Sequence, residues 1–164
     1  MKTIVLYYSR SRKTATVAET IANELSTDIQ EIKDVRERSG FLNYVNASVD
    51  ALRESKTKIN PEKLDLNDYG LVYIGTPTWA GKPAPAIITM IDQCDFKGKD
   101  VILFATMGNQ GGKGAIKRMK EKVEARGART VNSFVLKTNN QELIEIKSNT
   151  LKKIEEHDLK IYGI

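Results

Sequence analysis

Four short, mainly apolar runs constrain this chain most: IVLYY at residues 4–8, LVYIGT at 71–76, VILFAT at 101–106 and VNSFVL at 131–136. Each is too short for a typical helix and rich in β-branched or aromatic residues, so each reads as a strand. Most lack alternation with polar residues, the pattern of strands buried on both faces of a parallel sheet covered by helices. IQEIKD, residues 29–34, does alternate and predicts a weaker strand nearer an edge.

Between these runs, apolar residues recur at helical spacing. The sets are Val17, Ile21 and Leu25; Leu42, Val45, Val49 and Leu52; Ile87, Met90 and Ile91; Ile116, Met119 and Val123; and Leu143, Ile146, Leu151 and Ile154. Ser39 stands where it would cap the second of these helices. Strands alternating with helices of such lengths imply βαβ crossovers, and so an α/β doubly wound sheet of about five parallel strands. The polar stretch RESKTKINPEKLDLND, residues 53–68, holds Pro61 and reads as a surface connection. With 164 residues, no internal repeat and no low-complexity tract, one domain over residues 1–164 is expected.

Composition narrows the function classes. No apolar run approaches the ~20 residues of a membrane span, and the N-terminus is unlike a cleavable signal peptide, so a cytoplasmic protein is expected. The single cysteine, Cys94, allows no internal disulfide and reads as a buried, inert thiol. The lone histidine, His157, reads as a solvated helix residue, and one His with one Cys supplies no zinc-type ligand cluster. The net charge of +5 is concentrated in Lys113, Lys117, Arg118, Lys120, Lys122, Arg126 and Arg129, opposed by Glu121 and Glu124. That segment fits a solvated helix face or a docking surface for an acidic protein partner. It carries no interleaved aromatic residue to stack on bases, which argues against nucleic acid.

In an open parallel sheet, ligands bind beyond the carboxyl ends of the strands, where the strand order reverses. Three loops follow apolar runs and carry hydroxyls, glycine or proline: SRSRKT (9–14), TPTWAGKPAP (76–85) and TMGNQGGKG (106–114). The loop after the final strand, KTNNQ, is only polar. The first loop enters a helix N-terminus, whose unpaired amides and dipole favour an anion, with Ser9, Ser11 and Thr14 adding hydroxyls. It matches neither the Walker nor the dinucleotide glycine pattern, and its serines and threonine also fit simple N-caps. Trp79 suits either a flat aromatic ligand or packing over the sheet end. Gly108, Gly111 and Gly112 fit close approach to a ligand, or merely a helix start.

In combination, VLYYSRSRKTATVAETIA, GFLNYVNASVDALRES, YIGTPTWAGKPAPAI and FATMGNQGG resemble the flavodoxin family over nearly the whole chain, GTPTWAGKPAPA most specifically. The resemblance implies a flavodoxin-like sheet of strand order 2-1-3-4-5, an order taken from that family. It also implies FMN as cofactor. The phosphate would be held by Ser9, Arg10, Ser11, Arg12, Lys13 and Thr14. The isoalloxazine would lie between Thr76, Pro77, Thr78, Trp79, Ala80 and Gly81 on one side and Thr106, Met107, Gly108, Asn109, Gly111 and Gly112 on the other. Trp79 is the candidate stacking residue, and the Ala80–Gly81 peptide the candidate source of a carbonyl that accepts a hydrogen bond from flavin N5.

The function implied is electron transfer between redox protein partners. An FMN-dependent NAD(P)H:quinone reductase and a flavin-free binding module remain alternatives on the same fold. Two features depart from the family pattern. Arg12 stands where a glycine is common, at a position whose left-handed backbone costs a non-glycine residue ~1–2 kcal/mol. The chain is basic where the family's carriers are usually acidic, so its partners are expected to be acidic and to dock near residues 113–129.

Overall fold

The computed structural model describes residues 1–36 and 57–163. The chain runs β1 (Lys2–Tyr7), α1 (Lys13–Leu25), β2 (Asp28–Glu31), β3 (Lys33–Asp34), β4 (Ile59–Asn60), β5 (Tyr69–Trp79), β6 (Lys82–Pro83), α2 (Pro85–Gln93), β7 (Asp100–Met107), α3 (Gly112–Ala125), β8 (Arg129–Lys137), α4 (Leu143–Glu156) and a closing 3-10 turn (Leu159–Gly163). The helix expected around Leu42, Val45, Val49 and Leu52, with its cap at Ser39, lies outside the described residues.

Strands β2, β1, β5, β7 and β8 lie side by side in that order, and all four pairings are parallel. With the short β3, β4 and β6 set aside, this is the order 2-1-3-4-5. Both faces of the sheet are buried, and the pleat explains why the runs are continuously apolar. Val5, Tyr7, Leu71, Tyr73, Ile102 and Phe104 belong to the cluster that includes Val17 and Ile21 of α1 and Ile146 and Ile154 of α4. Their neighbours Ile4, Leu6, Val72, Ile74, Val101 and Leu103 join Ile87 and Met90 of α2 and Met119 and Val123 of α3. Each such side chain contributes about 1.5–3 kcal/mol by leaving water. Phe104 pairs in register with Gly75 on one side and Phe134 on the other. Its ring occupies the space a Cβ on Gly75 would need and stacks on Phe134 at 5.7 Å.

The structure changes three of the sequence expectations. The strand expected at 29–34 divides at Ile32, whose amide donates to Tyr7 O at 2.7 Å. Its first part is the sheet-edge strand β2, and its last part, β3, pairs antiparallel with β4. Residues 57–68 are more than a surface connection, because Ile59 and Leu66 are buried in the cluster under α2. Thr57 is held there by its amide to Thr89 Oγ1 and its hydroxyl to Asp34 Oδ1. His157 is half-buried rather than solvated: it ends α4 and turns its ring onto β8, with Nδ1 3.0 Å from Asn132 Oδ1 and the ring 5.5 Å from Phe134. Cys94 is buried as expected, and burial pushes its thiol up to about 11.

Candidate functional site

The carboxyl ends of β1, β5, β7 and β8 all reach one edge of the sheet, and the loops beyond them meet there. The first loop leaves β1 at Tyr8 and enters α1 through Arg12, which adopts φ 68° and ψ −12°. The backbone therefore takes the left-handed path that a glycine would take, with an arginine in its place. The Arg12 guanidinium is turned away along the helix to Glu19, at 2.9 Å. Ser9 acts as a cap, its Oγ accepting the Ala15 amide at 3.1 Å. The amides of Ser11, Arg12, Lys13 and Thr14 have no acceptor among the described residues. That is the donor set a helix N-terminus offers an anion.

Two contacts join this loop to its neighbours. Thr14 Oγ1 and Thr106 Oγ1 share a buried hydrogen bond of 2.8 Å. Lys13 Nζ donates to Thr138 O at 3.2 Å and keeps two further donors. Thr138 is itself fixed, its amide and hydroxyl both donating to Met107 O at 2.8 and 3.1 Å. Asn139 Nδ2 donates to Asn109 Oδ1 at 3.2 Å. The KTNNQ loop is thus part of the site, although its composition carries no sign of this. The available clue is topological, since β8 is the parallel neighbour of β7.

The second loop is a β-hairpin. Trp79 pairs with Lys82 across the two-residue turn Ala80–Gly81. Both turn residues have positive φ, 50° and 75°, as the type I′ turn favoured in hairpins requires. Trp79 is 4% exposed. Tyr8 meets it edge-on at 5.5 Å, and the Arg10 guanidinium lies over its ring at 5.2 Å. Thr76 is fully buried, donating to Pro77 O and accepting from Ala84 N, so it stitches the hairpin to the start of α2. Thr78 Oγ1 is buried without a hydrogen-bond partner among the described residues.

The third loop packs on the hairpin. A Cβ on Gly111 would stand 3.1 Å from Gly81 Cα, and one on Gly114 would stand 2.6 Å from Gly81 O. Gly111 and Gly114 therefore let α3 approach the turn. A Cβ on Gly112 would meet Val135 of β8. Only Gly108 of the glycines expected here faces open space and borders the cleft.

Of the residues singled out in the sequence, Arg10, Ser11, Lys13, Thr14, Pro77, Thr78, Trp79, Thr106, Met107 and Gly108 border one cavity of about 170 Å³, joined by Thr138 and Asn139. Ser9, Arg12, Thr76, Ala80, Gly81, Asn109, Gly111 and Gly112 do not line that cavity and take the roles just described. The donor set suits a phosphate, and the orphaned Thr78 hydroxyl marks a polar group that a ligand atom would satisfy.

The flavodoxin family model matches residues 2–147. A flavodoxin from Nostoc sp. is 31% identical over 140 residues, which span 79% of this chain and 68% of that protein. Among solved structures, a flavoprotein from Lactobacillus acidophilus in complex with FMN is 26% identical with a TM-score of 0.69, covering 84% of this chain and 93% of its own. A putative flavoprotein from Bacteroides uniformis is 25% identical with a TM-score of 0.75, covering 90% and 96%. Strand order and sequence agree, and the chain belongs to the flavodoxin family.

Proposed function

We propose that this chain is a flavodoxin-type electron carrier, one domain over residues 1–164, that binds FMN at the loops beyond β1, β5 and β7 and works in the cytoplasm. One observation carries the reading most: unlike groups meet in a single cleft. The amides opening α1 and the Lys13 ammonium suit a phosphate, and beside them lies the flat indole of Trp79. FMN supplies the electron chemistry when bound, and the protein's part is to hold it and set its electronics.

The described cavity, about 170 Å³, is smaller than the roughly 300–1,000 Å³ of most ligand pockets. Arg10, lying on Trp79, must swing aside before a three-ring ligand can stack on that indole. The Gly81 carbonyl is directed at Gly114 of α3, so the Ala80 carbonyl is the one we assign to flavin N5.

The partner surface is smaller than the sequence suggested. Arg118 is paired with Glu121, Lys120 with Glu124, Lys122 with Asp92 and Arg129 with Asp100, while Arg126 donates to Cys94 O. Lys113 and Lys117 remain without an acidic partner among the described residues, at the end of α3 nearest the site. An acidic redox partner docking on these two lysines would stand next to the cofactor loops. No described helix is long and apolar enough to cross a membrane.

The absorption spectrum of the purified protein, before and after added FMN, tests the reading. A yellow protein that releases FMN on denaturation supports it, and a protein that takes up no flavin overturns it. Mixing the yellow protein with NADH or NADPH under argon then separates carrier from reductase, because rapid bleaching would assign it the enzymatic role.

A further inference from the structure

We propose that the end of the sheet opposite the cofactor loops holds a second small-molecule site, which takes a monocarboxylate with a small apolar body. A cavity of about 470 Å³ opens there, between the amino ends of β1 and β5, the end of α1 and the closing 3-10 turn. Its size falls within the roughly 300–1,000 Å³ typical of small-ligand sites.

Thr27 and Tyr73 line this cavity, and their hydroxyl oxygens are buried just behind its surface with no hydrogen-bond partner among the described residues. Tyr73 is fully buried on the central strand β5. A buried polar group left unpaired costs about 1–3 kcal/mol, so two of them beside one cavity call for something to bind them. The cleft at the other end of the sheet carries the same mark in Thr78.

The surrounding charges define what that something is. The acidic groups at the rim are engaged: Glu24 with Lys160 at 3.8 Å, and Asp28 as acceptor of the Tyr69 hydroxyl at 2.7 Å. Lys2 also borders the cavity and has no acidic partner among the described residues. Two hydroxyl donors and an available cation select an anionic acceptor. Leu25, Leu71 and Leu159 supply apolar wall for a hydrocarbon body. A carboxylate carrying a ring or short chain satisfies both demands.

Neither hydroxyl oxygen is open to a water-sized probe, so a carboxylate meets them only once the rim has moved. The carboxylate therefore enters past the rim, where the Lys160–Glu24 pair joins the 3-10 turn to α1. Both side chains are largely exposed, at 66% and 42%, and such pairs are worth only about 0–1 kcal/mol, so the rim opens with little resistance. This inference does not depend on the flavin reading.

The test is a titration of the whole 164-residue chain, with and without added FMN, with benzoate and in parallel with benzyl alcohol, followed by amide chemical shifts. Benzoate is expected to give saturable shifts at Thr27, Leu71, Tyr73 and Leu159 and none at Ser11 or Gly108. Tyr73→Phe removes only an unpartnered hydroxyl and is expected to keep the fold while weakening benzoate roughly tenfold, the worth of a hydrogen bond to a charged group. Thr27→Val serves as a second variant with the same expected direction. Lys2→Met is expected to weaken benzoate and leave benzyl alcohol unchanged. The proposal is overturned if benzoate gives no saturable shift at those four residues, if both hydroxyl variants bind it as well as the parent, or if benzyl alcohol binds as tightly as benzoate.

Discussion

The guanidinium of Arg12 meets both carboxylate oxygens of Glu19, at 3.0 and 2.9 Å, two turns along the helix that Arg12 itself begins. The arginine thus holds a glycine's backbone conformation while its charge is spent on the helix surface. Arg12→Gly should relieve about 1–2 kcal/mol of left-handed strain and lose an exposed pair worth about 0–1 kcal/mol. Thermal unfolding should therefore show an unchanged or higher Tm, with FMN affinity unaltered. A marked loss of FMN binding would mean that the arginine acts on the ligand after all.

In the proposed site Lys13 is the cation that would serve the phosphate, because Thr138 O holds it at the cleft while two of its donors stay available. Lys13→Met should weaken FMN by about 1.5–3 kcal/mol, or roughly 10- to 100-fold. Riboflavin, which has no phosphate, should bind the variant and the parent alike. Fluorescence titrations with both flavins separate the effects, and an equal loss for riboflavin would show that Lys13 acts through the fold.

Gly114 lies in α3, where alanine would ordinarily gain about 1 kcal/mol in helix propensity. Its Cβ would stand 2.6 Å from the Gly81 carbonyl oxygen, so the helix or the turn has to move. Gly114→Ala should therefore destabilise the protein by about 1–3 kcal/mol, the usual range for overpacking, and shift the Gly81 amide resonance. Denaturant unfolding that shows stabilisation would place helix and turn further apart than they are here.

At alkaline pH the expected sign follows from Tyr69. The hydrogen bond from its hydroxyl to Asp28 stabilises the neutral phenol and, with some help from burial, pushes its pKa up to about 12. The folded state then keeps this proton longer than the unfolded state, whose tyrosine ionises near 10. The contribution to stability is complete below pH 10 and disappears as pH rises through 12. Tyr69→Phe should flatten that part of the stability profile, and an unchanged alkaline slope would rule the contact out as its source.

The sheet was readable from the residues because burial on two faces leaves a one-dimensional trace. Val72 and Tyr73 are adjacent in sequence and sit in opposite clusters, so both must be apolar. The positions of the three loops proposed to hold the cofactor follow from the same pattern. What sequence could not convey depends on pairings between distant residues. KTNNQ is featureless as a string, and it joins the site only because Lys13 reaches Thr138 across 125 positions. The pairing of Arg12 with Glu19 is not legible in the string because Glu19 becomes a neighbour only once α1 has formed. His157 looked solvated because Asn132, which receives it, lies on a different element.

Trp79 is the chain's only tryptophan, and the fold places it in the cleft between Tyr8 and Arg10. Excited at a wavelength the tyrosines do not absorb, the whole protein emits from this one ring. Its colour and intensity report the movement of Arg10, the arrival of a quenching flavin or the opening of the hairpin, with no background from elsewhere. The molecule carries its own optical gauge at the place where its function is proposed to occur, and ligand entry can be timed without attaching a label.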